Sequence, residues 1–94
     1  MPVALVFEGI TQEQYEESIR RLTPDGRVES PSDWPVPGLL AHIAGQGQGT
    51  FRVVDVWESQ EALEAFGAEL IPILRDIGVQ GDPEIYPLHT FVSA

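Results

Sequence analysis

The sequence predicts an α+β fold in the order β-α-β-β-α-β, with an antiparallel sheet and helices on one of its faces. Three observations carry this. The hydrophobic period of residues 50–66, TFRVVDVWESQEALEAF, changes from two to about 3.6 at Glu58-Ser59, so a strand feeds a helix there. A Thr-x-x-Gln signal at Thr11 and Gln14 follows a short apolar run, which gives an earlier strand and helix. Between the two pairs, the flexible run Gln46-Gly47-Gln48-Gly49 joins two apolar segments as a hairpin, making them antiparallel neighbours.

Each element follows from its own residues. Residues 2–8 (PVALVFE) read as the first strand, broken by Gly9. In the first helix the Thr11 hydroxyl accepts from the free amide of Gln14, whose side chain reaches back. Tyr15, Ile19 and Leu22 then make one apolar stripe, with Glu16, Glu17, Arg20 and Arg21 toward water. Residues 23–37 (TPDGRVESPSDWPVP) contain four prolines and one glycine, hold neither period, and read as a long loop of the kind that commonly carries function. Residues 38–45 (GLLAHIAG) form the second strand and residues 50–58 the third. Ser59 caps the second helix, whose buried face is Leu63, Phe66, Leu70, Ile73, Leu74 and Ile77, and Gly78 stops it. Pro72 removes an amide donor at a cost of about 3 kcal/mol, so a kink near Gly67 to Pro72, or a restart with Pro72 in a first turn, is expected. Residues 84–92 (EIYPLHTFV) form the last strand, and Pro87, which cannot donate to a ladder, places it at an edge. With the second and fourth strands at the edges, this is the split βαβ, ferredoxin-like arrangement.

Composition narrows the function classes. Ninety-four residues make one domain, spanning 1–94, and a chain of that size hides only about 60 to 65% of its unfolded surface, so association is a natural supplement. A formal charge of −10 repels phosphate backbones and anionic headgroups, so neither nucleic acid nor membrane is expected as a partner. The acidic groups are scattered as on a solvated surface. No apolar run reaches membrane-spanning length and the N-terminal MPVALVF lacks a signal peptide's basic flank, which points to the cytoplasm. The absence of cysteine excludes disulfides, thiolate metal sites and cysteine nucleophiles. Two histidines without a His-x-x-x-His spacing make a poor metal site, no phosphate loop is present, and no serine lies in a nucleophile-elbow context.

The stretch VVDVWES followed by QEALEAF, set in a split βαβ of this length, resembles the dimeric α/β-barrel superfamily, in particular its small antibiotic-biosynthesis-monooxygenase-like members. The resemblance covers essentially the whole chain and implies a homodimer whose sheets face each other. It also implies a cofactor-independent monooxygenase acting on a phenolic, quinol or polyketide-type aromatic, with no metal. A polyketide cyclase, or a non-catalytic ligand-binding or accessory protein of the same fold, is the alternative. The haem-degrading branch carries an asparagine on the first strand and a tryptophan and a histidine on the second helix. The matching positions here are Phe7 or Glu8, Phe66 and the vicinity of Asp76, so haem degradation is not expected.

Alternation along the strands selects candidate site residues. Val54 and Val56 suit the helix-covered face, which sends Val53, Asp55 and Trp57 into the opposite layer, where a barrel cavity would lie. Leu40, His42 and Ala44 share one face of the second strand, and Ile85, Pro87, His89 and Phe91 one face of the last. Leu40, Val53, Trp57, Ile85 and Phe91 then form the open apolar patch that a second copy covers. The candidate catalytic set is His42 or His89 as base, with Asp55 fixing its tautomer, because a carboxylate beside an imidazole readies it for proton abstraction near neutral pH. Either histidine is alternatively a half-buried structural residue, and Asp55 alternatively an ion-pair partner near Arg52 or on a second chain. Trp57, Leu40, Val53, Phe91 and Trp34 are the expected pocket walls, Trp34 as a lid from the proline-rich loop or as local packing. Tyr15 and Tyr86 read as packing residues.

Overall fold

The computed structural model describes residues 1–23 and 26–93, so Pro24 and Asp25 of the expected loop lie outside the described residues. Its elements are strand β1 (Val3–Ile10), helix α1 (Gln12–Leu22), a 3-10 turn (Pro31–Asp33), strands β2 (Leu39–Gln46) and β3 (Phe51–Trp57), helix α2 (Gln60–Asp76) and strand β4 (Glu84–Pro87). The four strands form one antiparallel sheet in the order β2-β3-β1-β4, with β2 and β4 at the edges as expected. Among the described residues no helix is long and apolar enough to cross a membrane.

The caps form as the sequence requires. Gln14 N–H donates to Thr11 Oγ1 at 3.0 Å and Thr11 N–H donates to Gln14 Oε1 at 3.0 Å, closing the capping box of α1. Ser59 Oγ accepts from Ala62 N–H at 3.1 Å at the start of α2. At its end Gly78 takes φ 85°, Gly78 N–H bonds the Arg75 carbonyl at 3.2 Å, and Val79 N–H bonds the Leu74 carbonyl at 2.9 Å, a Schellman stop. No restart occurs at Pro72, because α2 continues through it as one helix. The carbonyl that Pro72 leaves without a helical donor belongs to Ala68, and both residues are exposed, so water can serve it while the buried face stays packed.

Two bulges reset the faces of the sheet. Gly9 does not end β1; at φ 83° it adds one residue between Glu8, opposite Arg52, and Ile10, opposite Phe51, which turns Ile10 into the core. Leu40 is the extra residue of β2, between Leu39 opposite Trp57 and Ala41 opposite Val56. Leu39 therefore faces inward and Leu40 is exposed, which corrects the placement of Leu40 as a pocket wall.

The covered face is the opposite of the expected one. Leu5, Phe7, Val53 and Trp57 pack with Ile19 and Leu22 of α1 and Leu63, Phe66, Leu70 and Leu74 of α2 in a single core, whereas Val54 and Val56 lie on the uncovered face. The bulkiest groups decide this: Trp57, fully buried, stacks on Phe66 with ring centroids 4.8 Å apart. Val53, Asp55 and Trp57 thus lie under the helices and not in the opposite layer, and Val53 and Trp57 leave the expected open patch. In their place the open face carries Val6, Ala41, Ile43, Val54 and Tyr86, with Ile43 63% exposed, while Val56 on the same side is itself buried. Strand β4 is shorter than expected because it ends at Pro87, so Phe91 is a half-buried residue beyond the sheet and His89 lies in an exposed bend.

Candidate functional site

Helix α1, strand β2 and strand β3 each contribute one member of a hydrogen-bonded chain to the covered layer. The pairing of β2 with β3 sets His42 opposite Asp55, so the buried carboxylate finds an imidazole beside it. His42 Nδ1 lies 2.5 Å from Asp55 Oδ1, and His42 Nε2 lies 2.6 Å from the hydroxyl of Tyr15, which α1 projects from its apolar stripe. An ionised Asp55 accepts only. The tautomer that satisfies all three groups therefore donates Nδ1–H to Asp55 and accepts the Tyr15 O–H at Nε2. The alternative partner near Arg52 is not used, because Arg52 pairs with Glu8 across the strands at 3.0 Å on the uncovered face. Burial pushes the Tyr15 hydroxyl above its ordinary ionisation range, and the nearby Asp55 charge pushes the same way.

The chain Asp55–His42–Tyr15 borders a cavity of about 40 Å3 between sheet and helices. Its walls are otherwise apolar, apart from Ser18, whose hydroxyl donates to the Tyr15 carbonyl at 2.6 Å. No Arg or Lys lines it, so an anionic ligand would meet Asp55 without a counter-charge. Trp34 closes one side. Its ring centroid is 4.6 Å from His42 and 5.8 Å from Phe66, and it is 7% exposed. The turn that carries it is tied by Asp33, whose Oδ2 accepts from the amides of Glu29 at 2.9 Å and Ser30 at 3.1 Å. Those two amides hold the Asp33 carboxyl below its ordinary range.

The structure therefore brings together His42, Asp55, Val53 and Trp34 of the expected site. Trp57 lies behind that layer, stacked on Phe66, with its indole N–H unpartnered. Leu40, His89 and Phe91 are elsewhere, for the bulge and strand-length reasons above. Tyr15, expected only to pack, is the residue the sequence reading missed. Its place on the α1 stripe one turn before Ile19 put it on the covered side, but its partner 27 positions away is set by the sheet. Among the described residues no three His, Asp or Glu side chains converge as a metal-binding group.

Fold and site together define a small antiparallel α+β protein with a Tyr–His–Asp hydrogen-bond chain facing an apolar cavity. Comparison with protein-family profiles, curated proteins and solved structures gives no match to this chain.

Proposed function

We propose that the Asp55–His42–Tyr15 chain is a proton-abstracting site for a neutral phenol or quinol, and that the protein is a cofactor-independent monooxygenase of the ferredoxin-like, dimeric α/β-barrel type. The observation that carries this reading is the continuous pair of short hydrogen bonds, 2.5 and 2.6 Å, from a buried carboxylate to a phenol at an apolar cavity. A substrate hydroxyl beside Tyr15 passes its proton to the Tyr15 oxygen as Tyr15 gives its own to His42 Nε2. Asp55 stabilises the imidazolium that forms. The substrate anion, held among apolar walls, is then electron-rich enough to reduce oxygen itself. A ring C–H carbon ortho or para to the anion adds O2 and, taking up one proton, becomes a hydroperoxide; loss of that carbon's hydrogen with the terminal OH as water leaves a quinone carbonyl. One oxygen atom enters the product, the other leaves as water, and the substrate supplies the electrons.

The same proposal includes a homodimer joined through the uncovered sheet face, where Ile43, Val54 and Tyr86 form an apolar strip with small Ala41 beside it. One observation favours the alternative, an accessory or ligand-binding protein without turnover: a cavity of about 40 Å3 holds two or three waters but no aromatic ring. Oxygen uptake with a panel of one- and two-ring quinols, corrected for uncatalysed autoxidation, separates the two. Turnover that falls about a hundredfold or more in Tyr15→Phe and His42→Gln supports the relay. Uptake unchanged in both variants sinks it, and no uptake by the wild-type protein favours the accessory reading.

A further inference from the structure

Three features of Trp34 stand apart from the proton chain. Its indole packs on both His42 and Phe66, at 4.6 and 5.8 Å, beside the Tyr15–His42 pair. Its Nε1–H is buried with no acceptor, a defect that costs about 1–3 kcal/mol in a closed structure and that leaving the site would relieve. It rides on a surface loop between Gly26, at φ 71°, and Gly38, at φ 109°, which the exposed Asp33 turn ties and which packs Val28 and Val36 against the core. The side chain that closes one side of the cavity thus belongs to the loop between α1 and β2 and not to a strand or helix.

We propose that the Trp34 indole is a built-in occupant of the ligand site, displaced when a neutral one- or two-ring phenol enters between His42 and Phe66. The inference rests on the reading of the cavity as a phenol site and adds to it a size limit, a charge preference and a gate. The size limit comes from what is vacated: an indole plus a void of about 40 Å3 admits two fused rings with a hydroxyl, not an extended polycycle. The charge preference comes from Asp55 and the absence of Arg or Lys in the lining. The gate follows because the closed form competes with the ligand, so the apparent affinity of the wild-type chain is lowered by the fraction of molecules in which Trp34 is seated.

Binding of 2-naphthol and of 2-naphthoate, measured by calorimetry on the wild-type protein and on Trp34→Ala, tests this. The expected result is that Trp34→Ala binds 2-naphthol at least about tenfold tighter than the wild type, and 2-naphthoate at least about tenfold more weakly than 2-naphthol. A folded Trp34→Ala that binds 2-naphthol no tighter than the wild type overturns the occupancy, and equal binding of naphthol and naphthoate overturns the charge preference. Should Trp34→Ala not fold, fluorine NMR of the wild-type protein labelled with 5-fluorotryptophan decides the matter. A Trp34 resonance that moves on adding saturating 2-naphthol, while that of Trp57 stays, supports displacement, and an unmoved Trp34 resonance overturns it. Binding and turnover fail independently. Occupancy can stand with no oxygen uptake at all, which would remove only the monooxygenase reading. Uptake that depends on Tyr15 can stand while Trp34 stays seated, which would remove only the gate.

Discussion

Strand β3 presents two faces of nearly equal apolar content to two different surroundings. On one side Val53 and Trp57 lie under both helices with a carboxylate, Asp55, between them; on the other Val54 and Val56 continue into an uncovered strip ending at Ile43 and Tyr86. The face that carries the charge is the buried one. Hydrophobicity alone ranks the faces the other way, since a carboxylate left unpaired in a core is costly. The ranking reverses because the register sets His42 opposite Asp55 and Tyr15 caps the histidine, so each polar group is served, and because the covered layer gains an indole stacked on Phe66. A polar residue inside a core is thus evidence about its cross-strand neighbour as much as about itself.

The sharpest way to break this contrast is to truncate both faces and compare the losses. Trp57→Ala is expected to lower unfolding free energy by about 3–5 kcal/mol in urea titrations. Val54→Ala, measured at a protein concentration low enough to keep the chain monomeric, should cost only about 1 kcal/mol or less, because no packed layer covers it. Equal losses would show that the uncovered face is a core in its own right. A smaller effect is expected from Ile43→Asp, which should leave the fold intact and weaken the proposed dimer at least about tenfold in sedimentation equilibrium. A dimer of undiminished affinity would move the interface off this face.

The smallest effect concerns pH and reports the covered face alone. The Tyr15 hydroxyl holds its proton more tightly in the folded chain than in the unfolded one, first because it is buried and second because Asp55 is near. Its contribution to stability is therefore complete below the ordinary tyrosine value of about 10 and fades as pH rises through the higher folded-state value. Stability measured from pH 9 upward should fall above about pH 10 in the wild-type chain and fall less steeply in Tyr15→Phe. Parallel curves would mean that Tyr15 ionises alike in both states.

Much of this arrangement was legible in the sequence, and each miss has its own physical reason. Caps and stops are local, and Thr11, Ser59 and Gly78 behave as their neighbours dictate. The edge position of β4 follows from Pro87, a property of one residue. Facing is different. Which side of β3 meets the helices depends on how α2 settles, and with valines on both sides the alternation fixes two sets without ranking them. The pairing of His42 with Asp55 survived that error, because cross-strand neighbours stay together whichever face is covered. Leu40, His89 and Phe91 were lost to features with no periodic signature, a bulge and an early strand end. Tyr15 was lost because a tyrosine on an apolar stripe shows its ring in the pattern and not its hydroxyl.

The two bulges have a meaning for the length of the chain. Each contributes one residue that opposes nothing on β3, Gly9 near its first residue and Leu40 near its last. A chain lacking Leu40 would still present Leu39 and His42 to the helices and Ala41 to the uncovered side, and one lacking Gly9 would still send Glu8 outward and Ile10 inward. Removing Ile43 instead would turn over either His42 or Ala44. The sheet thus carries two positions where a single-codon loss is silent for sidedness, and both lie outside the segment that holds the proton chain.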